Sequence, residues 1–147
     1  MEKQIIDSIW KNLFYTRLLI QRKILNIKLE GIQKEISRPH YSIITTLDES
    51  GILTISEIGK KTLITKPQMT HLVDRLIKLG LVERLPDTND RRRIKIVLTN
   101  KGKAALEERR QIIKTNLNKM LSCLNDEELK EFSKALQTVR AIATKLK

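Results

Sequence analysis

The chain has 147 residues, 40% hydrophobic and 31% charged, which is typical of a globular domain rather than a disordered chain. Its N-terminal segment has no apolar run of signal-peptide or membrane length, and a lone Cys123 excludes an intrachain disulfide and a cysteine-rich metal site. We therefore expect a cytoplasmic protein of one domain, in which a buried structural thiol is favoured for Cys123 over its alternative, a redox sensor.

Two helices are predicted before the middle of the chain. After a short connector, Ser37 is an N-cap with Pro39 in the first turn, which predicts a helix that ends at Gly51. Residues 2 to about 30 form the earlier helical pattern, which is too apolar for a helix lying on one small domain and needs more than one partner surface. Its large apolar residues are Ile5, Ile6, Ile9, Trp10, Leu13, Phe14, Leu18, Ile24 and Leu25.

Residues 54–79 predict two short helices that meet at a tight corner. Thr54 and Glu57 have the spacing of a capping box, and Thr65 followed by Pro67 starts a second helix that Gly80 ends. The second helix has one apolar stripe, made by Met69, Leu72, Val73 and Leu76. Its opposite face is polar and basic, with Gln68, His71, Arg75 and Lys78, and with Lys66 and Thr70 beside them.

A basic hairpin follows. Residues 81–85 and 93–98 predict two strands, joined by a long polar tip at 86–93. Between residues 60 and 103 there are twelve Lys and Arg against four Asp and Glu, so this stretch holds +8 of the formal net charge of +12. A basic helix face next to a basic hairpin is what binding a polyanion requires.

The C-terminal part predicts two more helices. Thr99 caps one that runs to about Leu121, and Asn125 opens a final amphipathic helix with acids at its start and lysines at its end. The predicted fold class is mainly α with a small β-hairpin (α+β). The terminal helices either pack on the core of a monomer or form an interface, and their apolar area favours the interface.

Several motifs together resemble the winged helix-turn-helix of the MarR family of bacterial and archaeal transcriptional regulators. They are LTISEIG at 53–59, ITKPQMT at 64–70, LVDRL at 72–76, GLVER at 80–84, DTNDRR at 87–92 and LTNKG at 98–102. The resemblance covers the chain end to end. It departs from the common pattern at Gly59, usually Ala, and at His40, often Gln, and neither position lies on the DNA-facing side.

The resemblance implies a single MarR-like domain at 1–147. Dimerisation helices are expected at 1–35 and 122–147, a winged helix-turn-helix at 37–99 and a connecting helix at 99–121. Within the winged helix-turn-helix, the recognition helix at about 65–79 enters the major groove with Thr65, Lys66, Pro67, Gln68, Thr70, His71 and Arg75. The wing at about 81–98 offers Asp90, Arg91, Arg92 and Arg93, where Arg92 enters the minor groove and Asp90 orients it by an ion pair.

By the same resemblance, we expect a homodimeric repressor that binds double-stranded DNA specifically at a near-palindromic operator, without a cofactor. A small aromatic or phenolic acid is the expected effector. It would lie in a crevice lined by Trp10, Phe14, Arg17 and Tyr41, although core packing explains the three aromatic residues equally well.

Other function classes are disfavoured. An enzyme would need a phosphate loop, a metal-spaced His/Cys set or a nucleophile elbow, none of which is found; His40 is then structural or pocket-lining and His71 a DNA contact. A module for RNA or single strands needs aromatic stacking platforms, yet no Phe, Tyr or Trp lies between Tyr41 and Phe132. The same gap disfavours a membrane binder. A basic architectural or RNA-binding protein without effector response is the alternative.

Overall fold

The computed structural model describes residues 1–24, 27–90 and 93–146. They divide into two compact units, residues 1–27 with 113–147 and residues 28–112. The fold is mainly α with a small antiparallel sheet, as predicted. The elements in chain order are α1 Glu2–Lys23, α2 Ile32–Glu35, α3 Arg38–Ser50, β1 Leu53–Thr54, α4 Ile55–Thr62, α5 Lys66–Lys78, β2 Val82–Pro86, β3 Ile94–Leu98, α6 Asn100–Leu121 and α7 Asp126–Ala143.

The first unit contains α1, the second half of α6 and α7. Neither α1 nor α7 has a buried residue in the single chain, although both carry large apolar side chains. The helix predicted to reach about residue 30 ends earlier, at Lys23. The predicted start of α7 at Asn125 is confirmed, and the Asn125 side chain accepts a hydrogen bond from the Glu128 backbone N–H at 2.9 Å. Cys123 is exposed in this chain, so the prediction of a buried thiol is wrong here.

The second unit holds the hydrophobic core. The apolar stripe predicted on α5 is confirmed, with Met69, Val73 and Leu76 fully buried and Leu72 partly buried. The stripe packs in one cluster with buried residues of the helices and the sheet, namely Ile43, Ile44, Leu47, Ile58, Ile96, Leu98, Ala105 and Leu106. The polar face of α5 is therefore turned outward.

The sheet has the strand order β1-β3-β2 and is antiparallel throughout. The predicted hairpin is confirmed, with Val82 opposite Leu98 and Pro86 opposite Ile94. The short strand β1 was not predicted, because its two residues pair with β3 and carry no alternating pattern of their own. This third strand attaches β3, at Lys95 and Ile96, to the first turn of α4.

The short helix α2 lies in the stretch predicted as a connector. Gln33 is buried there and donates to the Ala105 carbonyl at 2.7 Å and to Glu108 at 2.9 Å. Arg109 is also buried and donates to the carbonyls of Gln33 and Ile36 at 3.3 and 3.2 Å. Burial lowers the pKa of Arg109. These bonds hold α2 against α6. Across the described residues, no helix is long and apolar enough to cross a membrane.

Candidate nucleic-acid interface

Helix α4 is capped as its sequence predicts, whereas Thr65 occupies the N-cap position of α5 without a side-chain cap hydrogen bond. At the start of α4, the Thr54 backbone N–H donates to Glu57 at 2.7 Å, and the Glu57 N–H donates to the Thr54 hydroxyl at 3.3 Å. The Thr54 backbone N–H, and secondly the Thr54 hydroxyl, which donates to the same carboxylate at 2.8 Å, lower the pKa of Glu57. Helix α5 has Thr65 as its N-cap residue and Pro67 in its first turn, where a missing N–H costs nothing. The entry of α5 is thus fixed by local chemistry.

The exposed face of α5 carries most of the residues predicted to contact DNA. Six of the seven are exposed, and all six lie in or next to the first two turns: Thr65, Lys66, Pro67, Gln68, Thr70 and His71. Within this set, the Thr65 hydroxyl donates to the Gln68 side-chain oxygen at 3.1 Å. The face therefore presents hydrogen-bonding groups and a cation beyond the folded core, as a helix that enters a major groove must.

The seventh predicted residue, Arg75, is engaged within the protein. It is partly buried and forms an ion pair with Glu35 of α2. Asp74, which the sequence prediction did not use, pairs with Arg84 of β2 at 2.5 Å. Nothing in the sequence pattern signals the Glu35–Arg75 pair, because the two residues are 40 positions apart and meet only in the folded chain.

His40 has a structural role at the start of α3. Its Nδ1 accepts a hydrogen bond from the Ser37 backbone N–H at 3.2 Å and lies 2.7 Å from the Ser37 hydroxyl oxygen. Burial, and secondly the positive charge of Arg75, lower the pKa of His40. The imidazole therefore acts as a neutral acceptor in the place where a capping box usually has Glu or Gln.

The hairpin tip is organised by Asp87. Its carboxylate accepts the Asn89 backbone N–H at 2.9 Å and pairs with Lys95 at 3.3 Å, and its own N–H donates to the Arg93 carbonyl at 3.2 Å. The bond from Asn89 is the main reason that the pKa of Asp87 is lowered. Asp90 lies 4.0 Å from exposed Arg93. The predicted residues Arg91 and Arg92, with the Asp90–Arg92 ion pair, lie outside the described residues.

A network of hydrogen bonds fixes the hairpin to the end of α5. The Thr99 hydroxyl donates to the Gly80 carbonyl at 2.7 Å and accepts the Gly102 N–H at 3.0 Å. Lys101 donates to the Leu79 carbonyl at 2.7 Å, which satisfies a C-terminal group of the helix. Gly80 has a positive φ of 73°, as a helix-ending glycine does. Side chains that follow β3 therefore hold the backbone at the end of α5 beside the hairpin.

A cleft on the same unit brings further positive charge beside the hairpin. It lies between the first turns of α4 and the start of β3, and includes Lys60, which the sequence prediction did not select, and Arg93. Both cations help to lower the pKa of Glu57. The basic charge at the hairpin thus extends onto α4.

The residues predicted to line an effector crevice are divided between the two units. Trp10, Phe14 and Arg17 lie on α1, where the two aromatic rings stack with centroids 5.4 Å apart. Tyr41 lies on α3, packs against the core of the second unit and has the Arg109 guanidinium 5.3 Å from its ring centroid. The crevice remains a prediction.

Comparison with known proteins identifies the family. The sequence profile described as "MarR family" matches residues 36–94. The HTH-type transcriptional regulator YsmB of Bacillus subtilis is 31% identical over 92% of this chain and 90% of that protein. FarR of Neisseria gonorrhoeae, an HTH-type transcriptional regulator, is 37% identical, but the match covers 59% of this chain and only 56% of that protein.

A solved structure agrees with these relatives. A MarR family protein from Bacillus stearothermophilus superposes with a TM-score of 0.74 and 25% identity, covering 98% of this chain and 99% of that one. Transcriptional regulators are not enzymes, in agreement with the prediction from the missing catalytic motifs. The chain therefore belongs to the MarR family of DNA-binding transcriptional regulators, with the winged helix-turn-helix that its motifs predict.

Proposed function

We propose that this regulator binds a specific DNA duplex through the exposed face of α5 and the β2–β3 hairpin, which acts as the wing. The observation that carries the proposal is that these two elements are joined in the folded chain, by the hydrogen bond from Thr99 to Gly80 and by the exposed ion pair of Asp74 with Arg84. A helix set in the major groove then fixes where the hairpin meets the adjacent minor groove. There an arginine reads groove width and adds affinity more than base identity.

The proposal includes a homodimer formed by the terminal helices. Ile5, Ile9, Trp10 and Leu13 of α1 are each more than half exposed in the single chain, and Val139 and Ile142 of α7 are as well. Exposed apolar surface of this extent marks an interface, and an obligate dimer buries on the order of 2,000 Å² or more. Sedimentation at micromolar concentration should reveal only dimer, whereas a stable helical monomer would refute it.

A dimer has two DNA-binding heads, each being the winged helix-turn-helix of one chain. This implies a near-palindromic operator whose half-sites lie about 10 base pairs apart, or a multiple of one helical turn. We further propose that binding represses transcription. In support, MdtR of Bacillus subtilis, 27% identical over 84% of this chain, is named a transcriptional repressor. Selection of binding sites from random duplexes, followed by footprinting on the genome, measures the spacing and finds the neighbouring genes.

An aromatic or phenolic acid is the proposed effector, bound by Trp10, Phe14, Arg17 and Tyr41. It would favour an arrangement of the two heads that does not fit adjacent major grooves. Its effect on DNA affinity cannot exceed its differential affinity for the two arrangements. A thermal-shift screen of phenolic acids and other small anions, repeated in the presence of operator DNA, tests this. If no compound changes the melting temperature or the DNA affinity, the phenolic effector is excluded.

The decisive experiment compares the selected operator with random duplex at several salt concentrations. Arg92→Ala and Arg93→Ala are each expected to weaken binding to both duplexes and to lower the salt slope by about 1 per lost cation. Gln68→Ala should cost roughly 1 to 3 kcal/mol on the operator and much less on random DNA. Preference for RNA or single strands over duplex would favour the alternative function. Unchanged affinity and slope in both arginine variants would exclude the hairpin as a DNA-binding element.

The Glu35–Arg75 pair offers a further test of which residues read bases. If Arg75 reads a base, it must leave Glu35 when DNA binds, so Glu35→Gln should raise operator affinity. Exposed ion pairs contribute about 0.2 to 1 kcal/mol, so the expected gain is fivefold at most. Arg75→Ala should then reduce operator affinity in both backgrounds. Equal affinity of Arg75→Ala and wild type would remove Arg75 from the reading set.

A further inference from the structure

The turn between α4 and α5 contains a residue whose backbone conformation and side chain are both unfavourable for the folded chain. Leu63 has φ 56° and ψ 25°, and among the described residues it is the one non-glycine residue with positive φ. In this left-handed conformation the Cβ crowds the next carbonyl oxygen, so glycine or asparagine is normally found at such a helix end. Glycine or asparagine would therefore be more stable than leucine at this position.

Packing does not explain the leucine either. Leu63 is 91% exposed, whereas the other exposed large apolar residues described in the second unit, Ile52 and Ile94, are 51% and 45% exposed. Its neighbour Ile64 packs against the core, so the turn already has an apolar anchor. The plain alternative is that Leu63 only ends α4 and its side chain has no role.

The position of the turn suggests a ligand. Leu63 follows α4 directly and precedes Thr65 and Lys66, the first exposed residues of the proposed reading face. In helix-turn-helix docking, the first helix crosses the DNA backbone and the N-terminal residues of the second helix touch base edges. The turn between them therefore lies at the edge of the major groove. Lys60, Lys61 and Lys66 flank it with positive charge.

The apolar group that a base pair presents in the major groove is the C5 methyl of thymine. We propose that Leu63 contacts this methyl group at one thymine of each half-site and so acts as a specificity-determining residue. The inference rests on the proposed DNA binding and adds an apolar base contact to it. A contact with deoxyribose instead would be independent of sequence, which the experiment below distinguishes.

The test uses the full chain and operator duplexes obtained by selection. Each thymine in turn is replaced by deoxyuridine, which removes the methyl group and keeps the pairing edge. Wild type should lose about fourfold in affinity at one position per half-site, corresponding to ~0.8 kcal/mol for one buried methyl group. Leu63→Ala should bind the thymine duplex more weakly by a similar factor and be insensitive to deoxyuridine at that position. This is a double-mutant cycle across the contact.

Two further variants separate the contact from an effect on folding. Leu63→Asn suits the left-handed backbone, so its melting temperature should rise while its operator affinity falls. Ile52→Ala removes an exposed apolar side chain of the same unit that lies outside both helices, and should leave the response to deoxyuridine unchanged. A gain in stability with a loss of DNA affinity is not expected of a residue that only ends a helix.

The remaining outcomes are distinguishable. If wild type and Leu63→Ala respond alike to every deoxyuridine, the methyl contact is refuted while DNA binding stands. If Leu63→Ala loses the same factor on all duplexes, the side chain touches the sugar-phosphate backbone and thymine reading is refuted. If wild type enriches no duplex, the proposed function fails and the contact fails with it.

Discussion

Gly102 provides a quantitative test of how closely α6 packs against the residues between α5 and the hairpin. It lies in the first turn of α6, where that helix approaches the chain that links α5 to the hairpin. A Cβ atom at this position would lie 2.1 Å from the Leu81 carbonyl oxygen and 2.6 Å from Leu98 Cδ1. Real Cβ atoms essentially never approach other atoms so closely, so Gly102→Ala must displace something.

The nearest of these atoms is the backbone oxygen of Leu81, which makes the cost large. The Leu81 oxygen accepts the Thr99 N–H at 3.1 Å, so it cannot turn away without losing that bond. Overpacking typically costs 1 to 3 kcal/mol, and because backbone must move we expect about 3. The better helix propensity of alanine returns up to ~1 kcal/mol, so the net loss is roughly 2 to 3. At about 2 to 4 °C per kcal/mol, the melting temperature should fall by roughly 4 to 12 °C.

Gly59 is the matched control, because it is also helical but has room for a side chain. Its added Cβ would lie 3.6 Å from the Ile64 carbonyl oxygen, an ordinary contact. Gly59→Ala should therefore stabilise the protein by roughly 0.5 to 1 kcal/mol. Urea unfolding followed by circular dichroism measures both variants. If Gly102→Ala were as stable as wild type while Gly59→Ala gained stability, the close approach of α6 to Leu81 would be wrong.

Three further predictions concern buried and titrating groups. Arg109→Met should cost about 2 kcal/mol in urea unfolding, because it removes the buried hydrogen bonds to the Gln33 and Ile36 carbonyls, of which the Gln33 carbonyl keeps the Ile36 N–H at 3.4 Å. The pKa of His40 is lowered in the folded protein, so the unfolded chain binds the proton more readily and stability should fall as pH drops below 6.5. His40→Gln keeps a cap acceptor and should remove that dependence in unfolding at pH 5 to 7. The pKa of Asp87 is also lowered, so its ionised carboxylate stabilises the fold at pH values above its ordinary pKa of 3.8. This stabilisation is lost as the pH falls further, and NMR of the Asn89 amide during an acid titration should report the loss.

The parts of the fold that the sequence predicts are those determined by local chemistry. Thr54 and Glu57 are three residues apart, so their mutual hydrogen bonds depend only on the start of one helix. The stripe on α5 and the glycine that ends it are local in the same sense. Helix α2 is different, because its four residues are held by Arg109 and by Gln33 bonded to α6, more than 70 positions away. No local pattern contains that information.

The candidate site divides in the same way. Which residues of α5 face outward follows from periodicity, so six predicted residues are exposed. Periodicity does not predict which of the outward groups already form ion pairs within the protein. Glu35 reaches Arg75 only after the core has brought α2 beside α5. Trp10 and Phe14 are a second example. Their helical spacing predicts that the two rings lie next to each other, but it does not predict which surface covers them.

These ion pairs change what the formal charge means for DNA binding. The stretch 60–103 carries twelve basic residues, and among those that the structure describes, Arg75, Arg84, Arg93 and Lys95 lie within 4.0 Å of a carboxylate. A cation that exchanges a carboxylate for a phosphate gains less than one that was solvated before, because it gives up an existing attraction. The DNA affinity of each head should therefore depend on salt mainly through the solvated lysines and arginines of α4, α5 and the hairpin. The slope of this salt dependence should be smaller than the slope expected if all twelve cations bound phosphates.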